Sequence, residues 1–254
     1  MTHHPHPSAG ARALAATAPA VYVLGAAHYF TPATLERGKA LGLDGFRFYF
    51  AGRGGVLGNV EALVVSSAFG YFEPTLLARM WNSARERVDP REAARVHLEC
   101  AHLYGREKFG VVGDLERFCA AAEAVVAAAD PAGLALFAGY AAEPLPDDAP
   151  ARAMQLVVVL RELRGSTHLL AVVASGLSPR VAHYLRRPDD FTLFGWSDDD
   201  VPVVTEADHR AYADAEALTD RLLQPAYAAL DDAGADALVA GIERMEAVRA
   251  LGSP

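Results

Sequence analysis

The chain has 254 residues, is 52% hydrophobic, and carries 32 acidic against 23 basic residues, a formal net charge of −9. That length accommodates one large domain or two small ones, with enough apolar residues to bury a sizeable core. No long Lys/Arg run offsets the acidic balance, which excludes a surface attracted as a whole to nucleic acid or anionic lipid.

Two cysteines, Cys100 and Cys119, lack CxxC spacing and point to a reduced, cytoplasmic setting. The longest apolar runs are too short or too interrupted to span a bilayer, so no membrane partner is expected. Met1 to Ser8 lacks the basic and apolar regions of a signal peptide. Its histidines, His3, His4 and His6, read as part of a loose tail, not a metal site.

Alanine is abundant and Val/Ile/Thr runs are rare, which predicts a mainly α fold. Residues 1–18 read as a flexible or loosely helical tail. Thr31-Pro32 is an N-cap with an N1 proline, opening a helix to Ala40 that ends near Gly42. The aromatic run Phe46–Phe50 reads as a short strand. It leads into Gly52-Arg53-Gly54-Gly55-Val56-Leu57-Gly58, whose spacing is neither GxGxxG nor a P-loop. That run reads as a tight turn delivering a helix, with Arg53 held nearby. Glu73-Pro74 opens another helix. Asp89-Pro90-Arg91-Glu92 starts a long helix to about Gly105. Asp114 to Ala129 is helical and breaks at Asp130-Pro131. Glu143 to Pro150 is the clearest linker, Ser178-Pro179 opens a further helix, and Phe191–Phe194 is a second short-strand candidate. Tyr212–Asp231 and Ala235–Leu251 read as two closing helices separated by Gly234.

The most informative segment lies inside the most apolar stretch. Leu160-Arg161-Glu162-Leu163-Arg164-Gly165-Ser166-Thr167-His168 follows Met154–Val159 and precedes Leu169–Val173. Charges in such a stretch are costly unless paired, so they form either an ion-pair network or a binding-site floor. On one continuous helix Arg161, Arg164 and His168 share a face. Alternatively Gly165 ends the helix and Ser166 or Thr167 caps the next.

As a ligand site, Arg53, Arg161, Arg164 and His168 would receive an anionic or amphipathic small molecule between two halves of the chain. Thr219 and Asp220 would stand behind them, with Glu162 orienting an arginine or His168. If the site is catalytic, His168 and Glu162 are the candidates, His168 as general acid or base. No cofactor is named by any motif. His97-Leu98-Glu99-Cys100-Ala101-His102 does not place three ligands on one helix face, and no metal is expected. No GxSxG occurs.

A weak internal echo divides the chain. Arg53-Gly54, the apolar Val60–Val65 and the helix opening at Glu73-Pro74 parallel Arg164-Gly165, Ala171–Val173 and Ser178-Pro179. This gives an N-terminal helical half at 19–140 and a C-terminal half at 141–254.

Several blocks together resemble an actinobacterial family of helix-turn-helix proteins with duplicated winged-helix-like halves. They are Ala51-Gly52-Arg53 with Leu57-Gly58, the block Leu160–His168, Gly176-Leu177, Gly195-Trp196-Ser197-Asp198 and Glu216-Ala217-Leu218-Thr219-Asp220. The resemblance spans about Ala20 to Leu230. It implies two winged-helix-like helical halves with at most short β-hairpins, and DNA as an alternative partner. The chain departs from the family at Val201–Tyr212, where the expected longer helix and wing are shortened. Arg85, Arg87, Arg91 and Arg95 form one modestly basic patch, and Arg180, Arg186 and Arg187 another. Exposed alanine-rich helices also allow a homodimer.

Overall fold

The computed structural model describes residues 7–251, so the histidines of the first six residues lie outside it. Its described residues form twelve α-helices, α1 (Ala9–Leu24), α2 (Pro32–Ala40), α3 (Gly45–Gly54), α4 (Ala62–Phe69), α5 (Pro74–Arg85), α6 (Pro90–Phe109), α7 (Leu115–Ala128), α8 (Ala135–Ala141), α9 (Ala149–Ala174), α10 (Pro179–Arg186), α11 (Glu206–Tyr227) and α12 (Asp232–Leu251). No strand occurs among them, and no helix is long and apolar enough to cross a membrane.

The helix starts follow local capping chemistry. The side chains of Thr31, Asp89, Asp148 and Ser178 each accept a hydrogen bond from a backbone N–H in the first turn that follows. These bonds satisfy N–H groups that have no partner inside the helix. Gly42 takes φ +73° just beyond α2, where a side chain would strain the backbone.

Several expectations are corrected. Phe46–Phe50 is not a strand but the body of α3, whose N-cap Asp44 accepts from the Arg47 N–H at 2.8 Å. Phe46, Tyr49, Phe50 and Arg53 recur at helical spacing, so α3 buries one aromatic face. Phe191–Phe194 is a turn, not a hairpin. The glycine run is a tight turn only in part: Gly52 and Gly54 close α3, and Gly55–Leu57 is a single 3-10 turn. A Cβ at Gly55 would lie 1.9 Å from the Pro90 carbonyl, so glycine there lets this turn cross the start of α6. Gly234 sits in the first turn of α12 and not between the helices, and α11 starts at Glu206, ahead of the expected Tyr212. The segment assigned to the tail is helical from Ala9.

The 26-residue α9 is the axis of the molecule, about 39 Å long. Met154, Gln155, Leu156, Val157, Val158, Val159 and Leu160 are all buried in succession, so it buries every face. It packs against α1, α6, α7, α8 and α11, and its C-terminal turns reach α10. Gly165 lies inside it, so Arg161 and His168 belong to one helix.

Candidate functional site

The polar block of α9 divides into two clusters. In the first, Glu162 is wholly buried and meets two arginines. Arg53 of α3 donates from Nε to Oε1 at 3.0 Å and from Nη2 to Oε2 at 2.8 Å, a bidentate pair. Arg161 donates from Nη1 to Oε1 at 2.6 Å. The Arg53 guanidinium lies 4.3 Å from the Phe69 ring centroid, and Arg161 lies 5.2 Å from both Tyr22 and Tyr29. Burial alone would raise the Glu162 carboxyl, but the two guanidiniums outweigh it and hold it below its ordinary value.

The second cluster lies one turn further along α9. Arg164 donates from Nη2 to Glu216 Oε2 at 3.1 Å, while its buried Nε has no partner. His168 Nδ1 lies 3.0 Å from Thr219 Oγ1, and that hydroxyl donates to the Ala215 carbonyl at 2.7 Å. Thr219 therefore accepts from Nδ1–H, which leaves the His168 lone pair on Nε2, 3.8 Å from Glu216 Oε1. Burial lowers His168 to about 4, and Arg164 and Arg186 add to this against the opposing pull of Glu216. At neutral pH its ring is uncharged.

Arg53, Arg161, Arg164 and His168 all line one cavity of about 100 Å³. Thr219 stands behind His168, whereas Asp220 is exposed on α11. The sequence reading did not select Glu216, Tyr71 or His183 for this site, nor Arg186 and Arg187. Tyr71 and His183 line the cavity, and each keeps a buried polar atom without a partner, as Arg164 does. Glu216 had one visible signal: it lies three residues before Thr219, on the same helix face.

The His97–His102 segment splits among separate environments. His97 is buried against His28 and Phe48, and burial lowers it to about 3. His102 Nε2 bonds Gln155 Oε1 at 2.7 Å. No group of three His, Cys, Asp or Glu residues among those described is arranged to hold a metal ion.

Two helix pairs share another geometry. α4 and α5 are joined by Gly70–Glu73, with Gly70 at φ +73°; α9 and α10 are joined by Ser175–Ser178, with Gly176 at φ +74°. Each pair is a helix, a four-residue turn with a left-handed glycine, and a second helix opened by proline. Trp81 anchors α5 by donating from Nε1 to the Val60 carbonyl at 2.9 Å. Thr75, Arg79 and Asn82 are exposed along one face of α5. The segment after α10 docks on the first turn: the Glu73 N–H donates to the Phe194 carbonyl at 2.9 Å, and the Phe72 and Phe194 rings stack 4.1 Å apart.

These paired helices agree with the family comparison, in which a helix-turn-helix family model matches residues 11–252. The chain belongs to that helix-turn-helix family. No curated protein and no solved structure matches it.

Proposed function

We propose that the protein is a DNA-binding regulator with two related halves, whose reading helix is α5. The family match over residues 11–252 carries this reading. The exposed Thr75, Arg79 and Asn82 support it, since a hydroxyl, a guanidinium and an amide at this spacing suit base edges and phosphates. The partner helix α10 has a narrower exposed polar face, with Arg180 held 3.7 Å from Asp200. With a net charge of −9, attraction to DNA must be local, so α5 and the neighbouring Arg87 are the surface assigned to it.

Selection from a random-sequence duplex pool at low salt, followed by anisotropy titration of the enriched duplex, tests this reading. Affinity is expected to fall steeply as salt rises. Arg79→Ala should weaken binding by roughly ten- to a hundred-fold while the melting temperature stays unchanged. An unenriched pool and flat titrations at low salt would refute the reading.

A further inference from the structure

The cavity on α9 lies between the two helix–turn–helix units. Tyr71 and Phe69 come from the first unit, and Arg164, Gly165 and His183 from the second. Three of its lining residues, Tyr71, Arg164 and His183, hold a buried polar atom with no hydrogen-bond partner. Such groups are costly to leave unpaired, and three around one space point to an occupant. His183 is 6% exposed, so bulk solvent does not satisfy its ring.

Charge agrees with that chemistry. Five guanidiniums line the cavity: Arg53, Arg161, Arg164, Arg186 and Arg187. Three carboxylates face them, Glu162 on the first pair, Glu216 on the next and Asp190 on the last. Two positive charges remain in excess. A space of about 100 Å³ holds one carboxylate head, or about three waters.

The cavity adjoins a groove of about 860 Å³, within the range of small-molecule sites. Tyr22, Tyr49, Phe72, Phe194 and two of the arginines, Arg161 and Arg187, line both spaces. The groove adds exposed apolar groups, including Phe30 at 50% and Leu193 at 53%. Gly165 lines the head cavity, and a Cβ there would meet nothing within 4 Å, so a larger side chain fits at this wall without clashing with the fold.

We infer that cavity and groove form one site for a small amphipathic carboxylate. Its head sits among Arg164, Arg186 and the Tyr71 hydroxyl, and its apolar body lies along Phe72, Phe194 and Phe30. Occupancy ties the α4–α5 turn to the α9–α10 turn. The site stands without DNA; only its use as an effector switch rests on the DNA-binding reading.

The test uses the full chain without DNA. The fluorescent amphipathic sulfonate 8-anilinonaphthalene-1-sulfonate reports occupancy, and decanoate, decanol and inorganic phosphate compete. One dye per chain is expected, displaced by decanoate but not by decanol or phosphate. Arg164→Met should raise the decanoate needed by about ten-fold. Gly165→Leu should abolish dye binding while the protein melts at the same or a higher temperature, since leucine favours the helix. The inference is overturned if the dye does not bind or decanoate fails to displace it. Equal displacement by decanol or by phosphate overturns it too, as do two folded variants that bind like the parent. Because DNA is absent, failure of the DNA-binding reading leaves this result unchanged. A shift in DNA affinity on adding decanoate reads the switch separately.

Discussion

The two arginine clusters on α9 sit one helical turn apart and are in opposite states. Around Glu162, Arg53 supplies a bidentate pair and Arg161 a third donor. Around Arg164, one nitrogen reaches Glu216 and another is buried with no partner. Both clusters use the same residue types from the same apolar stretch. What separates them is satisfaction. A buried charge whose partners are complete joins elements of the fold, here α3 to α9, whereas one left incomplete beside open space has capacity for another molecule.

Removing the carboxylate at the centre of the complete cluster has the largest expected effect. Glu162→Ala leaves two buried guanidiniums without their carboxylate, and should destabilise the protein by about 3–5 kcal/mol. That corresponds to a fall in melting temperature of roughly 10 °C for a chain of this size. A thermal melt reads it directly. A loss below about 1 kcal/mol would mean that the cluster does not hold α3 on α9.

Acid should act next, through buried histidines near the complete cluster. His97 is lowered by burial to about 3, and its Nε2 is buried without a partner. His28, packed against it, is also lowered, by burial and then by His97. Below about pH 6.5 the unfolded chain takes up protons that the folded chain refuses. Stability is therefore fully present above that pH and is lost as pH falls toward the folded value. For His97 alone, acidification from pH 6.5 to 5 should cost about 2 kcal/mol. His97→Leu should flatten the dependence of denaturant midpoint on pH across that window. An unchanged slope would show that His97 titrates normally.

Much of this fold is legible in the sequence because helix starts are written locally. Asp89-Pro90 and Ser178-Pro179 combine a capping side chain with a proline whose missing N–H costs nothing in the first turn. Phe46–Phe50 misleads because aromatic residues favour strands in general, while the deciding signals lie just outside the run. Asp44 caps it, and Arg53 extends its aromatic face by one more turn to reach Glu162. The block Leu160–His168 shows by composition alone that charge lies inside a core. It does not reveal which charges are paired, because Arg53 is 109 residues from Glu162 and Glu216 is 52 from Arg164. Tyr71 and His183 have no local signal at all. They meet at the cavity through packing distant in sequence: Tyr71 lies against the cluster of Val172, Leu177, Ala182 and Ala215, and its ring lies 6.4 Å from that of His183.

The smallest effect is the most discriminating. Arg164→Met should change stability by no more than about 1 kcal/mol. The thioether chain retains much of the packing of the arginine stem and removes a buried N–H that has no acceptor. Glu216 keeps other partners: the Tyr212 hydroxyl donates to it at 3.1 Å, and Arg186 lies 3.9 Å away. Arg53→Met has no such compensation, because the Glu162 carboxylate would lose two of its three donors. Urea unfolding of the two variants, read at equal slope, sets them side by side. If both fall by the same amount, Arg164 is as structural as Arg53, and the two clusters differ in geometry without differing in role. If only Arg53→Met falls, the fold tolerates loss of the open arginine, and the reason for a charge at that place is the space beside it.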